Sequence, residues 1–181
     1  MISTDNHLGY KEKDEVIGDD SFEAFDEVLE TAVNENVDFL LLGGDLFHEH
    51  APSQSAYYKC SKIFNKYVFG HHHSRTSTRF ATHNYPKANY LSSKHQIRLP
   101  VFSIHGNHDD PVGLQMLSAL DQLNVNSYIN HFGKVTDMEH IHVKPILFSK
   151  GTGSSSVKIA LYGIGHIKDE RLNLAFESEK I

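Results

Sequence analysis

One cysteine, Cys60, is present among the 181 residues. That excludes an internal disulfide framework and fits a reducing compartment. Cys60 falls among apolar residues at helical spacing, so it reads as a small core side chain and not as a nucleophile. No apolar run approaches the roughly 18 residues that a membrane span needs, and Met1-Ile2-Ser3 does not read as a secretory leader. There is no internal repeat. A further absence concerns charge: from Ala51 through His108 there is no Asp or Glu. Lys59, Lys62, Lys66, Arg75, Arg79, Lys87, Lys94 and Arg98 fall in that stretch, and all 23 acidic residues lie outside it. The net charge of −6 therefore averages two unlike parts. The basic stretch admits two readings, a face that meets a polyanion or a solvated loop, and charge alone does not choose between them. Hydrophobic residues at 39% and charged residues at 22% are ordinary for a globular chain, and the length suffices for one domain with a real core.

Helical and strand patterns alternate along the chain. Asp20-Ser21-Phe22-Glu23 has the form of a capping box with Asp20 as N-cap. Phe22, Phe25, Val28, Leu29, Ala32 and Val33 then repeat at helical spacing and predict a helix to about residue 35. Residues 37–42 form a nearly continuous apolar strand, as in a sheet covered on both faces. Ser53, just after Pro52, is placed to cap a second helix carrying Tyr57, Cys60, Ile63, Phe64, Tyr67 and Val68. Residues 70–99 have no clear period and read as an insertion; within it, His71-His72-His73 reads as binding nothing specific. Residues 100–104 predict another buried strand. Leu114, Leu117, Ala119, Leu120 and Leu123 predict a third helix over 113–123, and 125–129 a short strand. A strand pair is expected within 134–150, then a flexible turn at 151–156, a last strand over 157–162, and a helical turn or two over 169–176.

Three short phrases carry chemistry: Asp5-Asn6-His7, Gly43-Gly44-Asp45 and Gly106-Asn107-His108-Asp109. Singly each is weak, since a turn after a strand favours the same residues. As an ordered set, each closing a strand, they deliver two carboxylates, an imidazole and an amide to the strand ends where open α/β sheets build their sites. Such donors suit a pair of divalent cations. Asp45 can bridge them, Asp5 and His7 complete one shell, and Asn107 offers a neutral oxygen to the other. The simplest chemistry is two-metal phosphoester hydrolysis. His105 precedes the turn and reads as a core histidine.

This set resembles the calcineurin-like metallophosphoesterase superfamily, an α/β fold whose β-sandwich is flanked by helices. More narrowly, Asp5-Asn6-His7-Leu8-Gly9-Tyr10, Gly44-Asp45-Leu46-Phe47-His48-Glu49 and His105-Gly106-Asn107-His108-Asp109-Asp110-Pro111 resemble the meiotic recombination eleven family, the nuclease subunit of the MRN double-strand-break repair complex. Asn130-His131-Phe132-Gly133 and Asp169-Glu170-Arg171-Leu172 fit its eukaryotic branch. Asn6, in place of a commoner aliphatic residue, and His166, in place of a small polar one, depart from its pattern. The resemblance implies metal ligation by Asp5, His7, Asp45 and Asn107, with His108 facing the scissile phosphate. His48 would orient a ligand or contact DNA. It further implies two Mn2+ ions (Mg2+, Fe2+ or Zn2+ being the alternatives), 3′-to-5′ exonuclease and endonuclease activity on DNA ends and single-strand/duplex junctions, and a place in the nucleus and in meiosis. The implied partners are a second copy, a coiled-coil ATPase subunit and a third regulatory subunit, with no membrane. The homodimer would form through the helices at 53–68 and 113–123, with Ile63, Phe64, Tyr67, Leu114, Leu117 and Leu120 as the apolar stripe; an ordinary core face is the alternative reading of the same residues.

The family's three further histidine ligands, in downstream Val/Ile-His-x-x-Arg and Gly-His-x-His segments, are not reached before Ile181, and Met1 leaves almost no room for a strand before Asp5. The chain is therefore expected to be an incomplete nuclease domain over 1–181, without the capping domain and C-terminal DNA-binding region, and to cleave weakly or not at all. Two other functions compete. One is a phosphatase or nucleotidase of the same superfamily, which Gly-Asp-x-His-Gly and Gly-Asn-His-Glu motifs would favour and this chain's phrases do not. The other is a non-catalytic piece that retains dimerisation or partner binding.

Overall fold

The computed structural model describes residues 1–71 and 81–180. His72, His73, Arg75 and Arg79 lie outside the described residues. The elements run β1 (Ile2–Ser3), α1 (Asp20–Asn34), β2 (Leu40–Leu42), α2 (Gln54–Val68), β3 (Ala81–Thr82), β4 (Val101–Ser103), α3 (Ala119–Val125), β5 (Asn130–His131), β6 (Ile146–Lys150), β7 (Val157–Leu161) and α4 (Asp169–Glu177). Strands β1, β2, β4 and β5 form a parallel sheet in the order β1-β2-β4-β5, and β3, β6 and β7 form an antiparallel one in the order β3-β6-β7. The two sheets meet through aromatics. Phe148 of β6 stacks on Phe39 at 5.2 Å between ring centroids and meets Phe102 of β4 edge-on at 5.2 Å. This is the sandwich with flanking helices that the sequence led one to expect.

Burial explains the short parallel strands. Leu40, Leu42, Val101 and Phe102 are fully buried, as in sheets covered on both faces. The buried sides of α1, α2 and α3 join them in one continuous core, with Phe25 of α1 edge-on to Phe64 of α2 at 5.4 Å. Two residues suffice for β1. Ile2 and Ser3 pair with Leu41 and Leu42, and the Met1 ammonium donates to the Phe39 carbonyl at 3.1 Å, so a strand does lead into Asp5.

Several boundaries differ from expectation. The α1 N-cap is Asp19, and the capping box on Asp20 does not form. The Asp19 carbonyl accepts from Phe22 and Glu23 backbone N–H, while its carboxylate is drawn to Lys59. Ser53 does cap α2, its hydroxyl accepting from Ala56 N–H at 3.0 Å. Helix α3 starts six residues later than expected, at Ala119, because a capping box between Ser118 and Asp121 starts it there. The preceding segment is turned by left-handed backbone at Gly113 and Met116. Val125 ends that helix rather than opening a strand, and only β6 forms within 134–150, pairing with β7. Residues 81–99 are not structureless. Ala88, Asn89, Tyr90, Ile97 and Leu99 are buried, and Arg98 donates to the Tyr67 and Lys66 carbonyls at 3.0 and 2.8 Å, closing the end of α2. Among the described residues, no helix is long and apolar enough to cross a membrane.

Candidate metal centre

The site is assembled where parallel strands end. Beyond β1 and β2 the chain continues as two laced segments: Asp5 N–H bonds the Gly44 carbonyl at 3.2 Å, His7 N–H the Asp45 carbonyl at 3.0 Å, and Leu8 N–H the Leu46 carbonyl at 2.8 Å. This lacing forces unusual backbone. Asp5, His7 and Asp45 have φ of 56°, 45° and 50°, in the left-handed region that non-glycine residues seldom occupy. Such conformations persist only where surrounding structure over-determines them, and they cluster at functional sites.

The lacing brings three predicted ligands together. Potential ligand atoms of Asp5, His7 and Asp45 all lie within 4.8 Å of one another. His7 Nε2 stands 3.9 Å from Asp45 Oδ2, and Thr4 Oγ1 donates to Asp5 Oδ2 at 2.7 Å. A second group, within the same 4.8 Å, joins His7 to His48 and His108. His48 Nδ1 lies 3.4 Å from His7 Nδ1, and its ring stacks on His108 at 5.0 Å. Two carboxylates and an imidazole form the mixed oxygen and nitrogen donor set that a divalent transition cation takes, so these residues fit such an ion. Among the described residues these are the two groupings of this kind.

The third loop is locked onto the second. His108 N–H donates to Asp45 Oδ1 at 2.9 Å, and a side chain at Gly106 would overlap that same carboxylate. Gly44, at φ +112°, approaches Gly106 so closely that a Cβ there would lie 3.0 Å from the Gly106 backbone. Asp109 supplies the clamp: buried, it accepts from Leu46 N–H at 2.7 Å and Gly106 N–H at 2.6 Å. Burial raises its pKa, against the pull of these bonds. His108 Nδ1 sits 2.6 Å from the His48 carbonyl, which can only accept, so Nδ1 carries the proton and the ring is fixed with Nε2 free. Asn107 lies exposed between Gly106 and His108. His105 is a core histidine, as its position implied; desolvation and the nearby His131 lower its pKa.

Asp109 and Gly106 are the functional residues that motif reading undervalued; their signal was membership in the Gly-Asn-His-Asp phrase. The expected dimer stripe divides. Ile63, Phe64, Tyr67 and Leu120 are buried within the chain's own core, because the apolar side of α2 faces α1 and Tyr128. Leu114 and Leu117, at 106% and 50% exposure, lie on the loop before α3 and not on a helix. The basic stretch is likewise partly structural: Lys59 and Lys66 pair with Asp19 and Asp26 of the α1 region, and Arg98 closes α2. Lys62, Lys87 and Lys94 remain exposed.

Residues 1–180 match the family described as calcineurin-like phosphoesterase. The chain is 45% identical over 187 aligned residues to the double-strand break repair protein MRE11 of Homo sapiens, 46% to that of Gallus gallus and 44% to that of Oryza sativa subsp. indica. These alignments cover 100%, 100% and 98% of this chain and 26% of each relative. The chain thus spans about a quarter of the length of the curated relatives it matches.

Proposed function

Because the chain belongs to the calcineurin-like phosphoesterase family, we propose that it is the metal-binding part of a DNA nuclease that processes double-strand-break ends. The observation that carries this reading is the convergence of Asp5, His7 and Asp45 at adjacent strand ends, with His108 held beside them. Manganese is the proposed cation, and Asp5, His7, Asp45 and Asn107 would be the residues that hold it. Bound divalent cations would supply Lewis-acid polarisation of a phosphoryl oxygen and a more acidic water.

The chain's own residues do the rest. Asp109 and the Gly44–Gly106 approach fix the third loop against the second. The His48 carbonyl sets the His108 ring so that Nε2 is the atom presented to substrate; only as the imidazolium, with a proton on Nε2 taken up from solvent, does it stabilise charge or protonate the leaving oxygen. Similarity to MRE11 proteins, named for double-strand break repair, supports DNA as the substrate. From the same similarity we infer 3′-to-5′ exonuclease and endonuclease activity, a nuclear and meiotic setting, a homodimer, and partners in a coiled-coil ATPase and a third subunit.

The test is cleavage of duplex DNA ends by the chain with Mn2+, beside turnover of phosphoserine peptides. Expected is slow, Mn2+-dependent loss of 3′ nucleotides, abolished in Asp45→Asn and reduced about 10²–10⁴-fold in His108→Asn. Faster turnover of the peptides than of DNA would overturn the nuclease in favour of a phosphatase. No cleavage together with fewer than two tightly held Mn2+ ions per chain would favour the non-catalytic reading.

A further inference from the structure

Behind the metal centre lies a second cluster of titratable groups that the proposed chemistry does not use. His105, just after β4, and His131, on β5, have side chains only 4% and 3% exposed. Their rings meet edge-on at 5.6 Å, with His105 Nδ1 3.4 Å from His131 Nε2. Each is flanked by a carboxylate on its far side. Asp121 Oδ1 lies 3.2 Å from His131 Nδ1, and Asp110 Oδ1 lies 3.5 Å from His105 Nε2. The result is a chain of four side chains, Asp121–His131–His105–Asp110, with the two histidines buried and the two carboxylates partly exposed at its ends.

Where this chain attaches gives it meaning. His105 immediately precedes the loop 106–118, and Asp110 sits within it, two residues past His108. Asp121 closes the loop's far end, accepting from Ser118 N–H at 2.9 Å, and is anchored by Lys134 at 3.1 Å. His131 therefore joins the two ends of the loop to one another across the sheet. The His105 ring is wedged as well, because a side chain at Gly165 would overlap it and its backbone carbonyl accepts from His166 N–H at 3.0 Å. Between the attachment points, residues 112–117 bond to themselves, Val112 and Leu117 exchanging both backbone bonds, and Leu114 is wholly exposed. Buried polar groups that satisfy one another in this way rigidify what they join.

We infer that His131 and Asp121 are positioning residues: acting through His105 and Asp110, they hold the loop that carries Asn107 and His108 in register with Asp45. The inference rests on the phosphoesterase reading for the roles of Asn107 and His108, but not for the stapling itself. Partners that orient metal-binding groups without touching the ion typically change affinity 10–100-fold when removed.

The experiment uses the chain as it exists, with three readouts: amide hydrogen exchange, Mn2+ affinity by electron paramagnetic resonance, and the thermal midpoint. His131→Phe keeps a ring and removes both nitrogens; His131→Gln restores one polar contact. Exchange across 106–118 should rise about tenfold in His131→Phe, with α1 and β2 unchanged, and Mn2+ should bind about tenfold more weakly. His131→Gln should recover part of both. Loop exchange and Mn2+ affinity within about twofold of wild type, in folded His131→Phe, would overturn the inference. So would an equal rise in exchange throughout the molecule, the mark of a merely structural role. If His131→Phe does not fold, a cycle of Asp110→Asn and Asp121→Asn decides. These residues sit at opposite ends of the chain of contacts, so non-additive effects on loop exchange support it and additive effects sink it. Wild type that turns over phosphoserine peptides faster than DNA would refute the nuclease function and leave the loop readouts standing.

Discussion

The two sheets draw on the same apolar residues and put them to opposite uses. The parallel sheet has strands of two or three residues, the central β2 and β4 buried on both faces, and every strand end leads directly into a loop of the metal centre or its support. In the antiparallel sheet β6 and β7 run five residues each, and one side is spent covering Phe39 and Phe102. Its outer side is left open, with Leu147 and Ala160 exposed, and Val157 and Ile159, although on Phe148's side, are exposed as well. Precision in this molecule comes from short strands that cannot shift register without losing their core contacts, and the longer strands serve as cover. The lesson is that strand length does not measure a sheet's importance to the site.

Three substitutions would break or sharpen that contrast. Phe102→Ala removes the ring on which Phe39, Tyr85, Tyr90, Phe132 and Phe148 converge. It should cost about 3–5 kcal/mol in a urea unfolding titration, and a cost under about 1 kcal/mol would deny the parallel sheet its central place. Gly106→Ala should cost less in stability, about 1–3 kcal/mol, because the loops can part to admit the methyl. It would nonetheless push Asp45 away, so calorimetry should find Mn2+ binding weakened at least tenfold; unimpaired binding would mean the loops need not be locked. On the other sheet, Ile159→Thr keeps the β-branch at a position 47% exposed. Its effect should stay within about 0.5 kcal/mol, and a larger loss would mean that the cover is as finely fitted as the site.

Legibility in the sequence followed the locality of the cause. The amphipathic periods of α1 and α2 and the Ser53 cap arise within a few residues, and all appear as expected. So does the delivery of Asp5, His7 and Asp45 to one point, because a motif that closes a buried strand inherits its direction. What failed depended on distant partners. Asp20 had the pattern of a cap, but the cap is Asp19, whose carboxylate pairs with Lys59 forty residues away. Residues 81–99 carry no period, yet Tyr90, Ile97 and Leu99 are core because separate parts of the fold meet there. The His105–His131 contact spans 26 residues and two strands, and no local spacing announces it. Leu117 followed a helical period that Gly113 and Met116 interrupt.

The left-handed backbone at Asp5, His7 and Asp45 has one last consequence. Segments held against their own conformational preference relax first when the packing around them loosens. Warming or mild denaturant should therefore scatter the cation-binding groups while the helices are still intact, so that competence fails ahead of architecture. Helical content would then be a poor gauge of how much working protein a preparation contains.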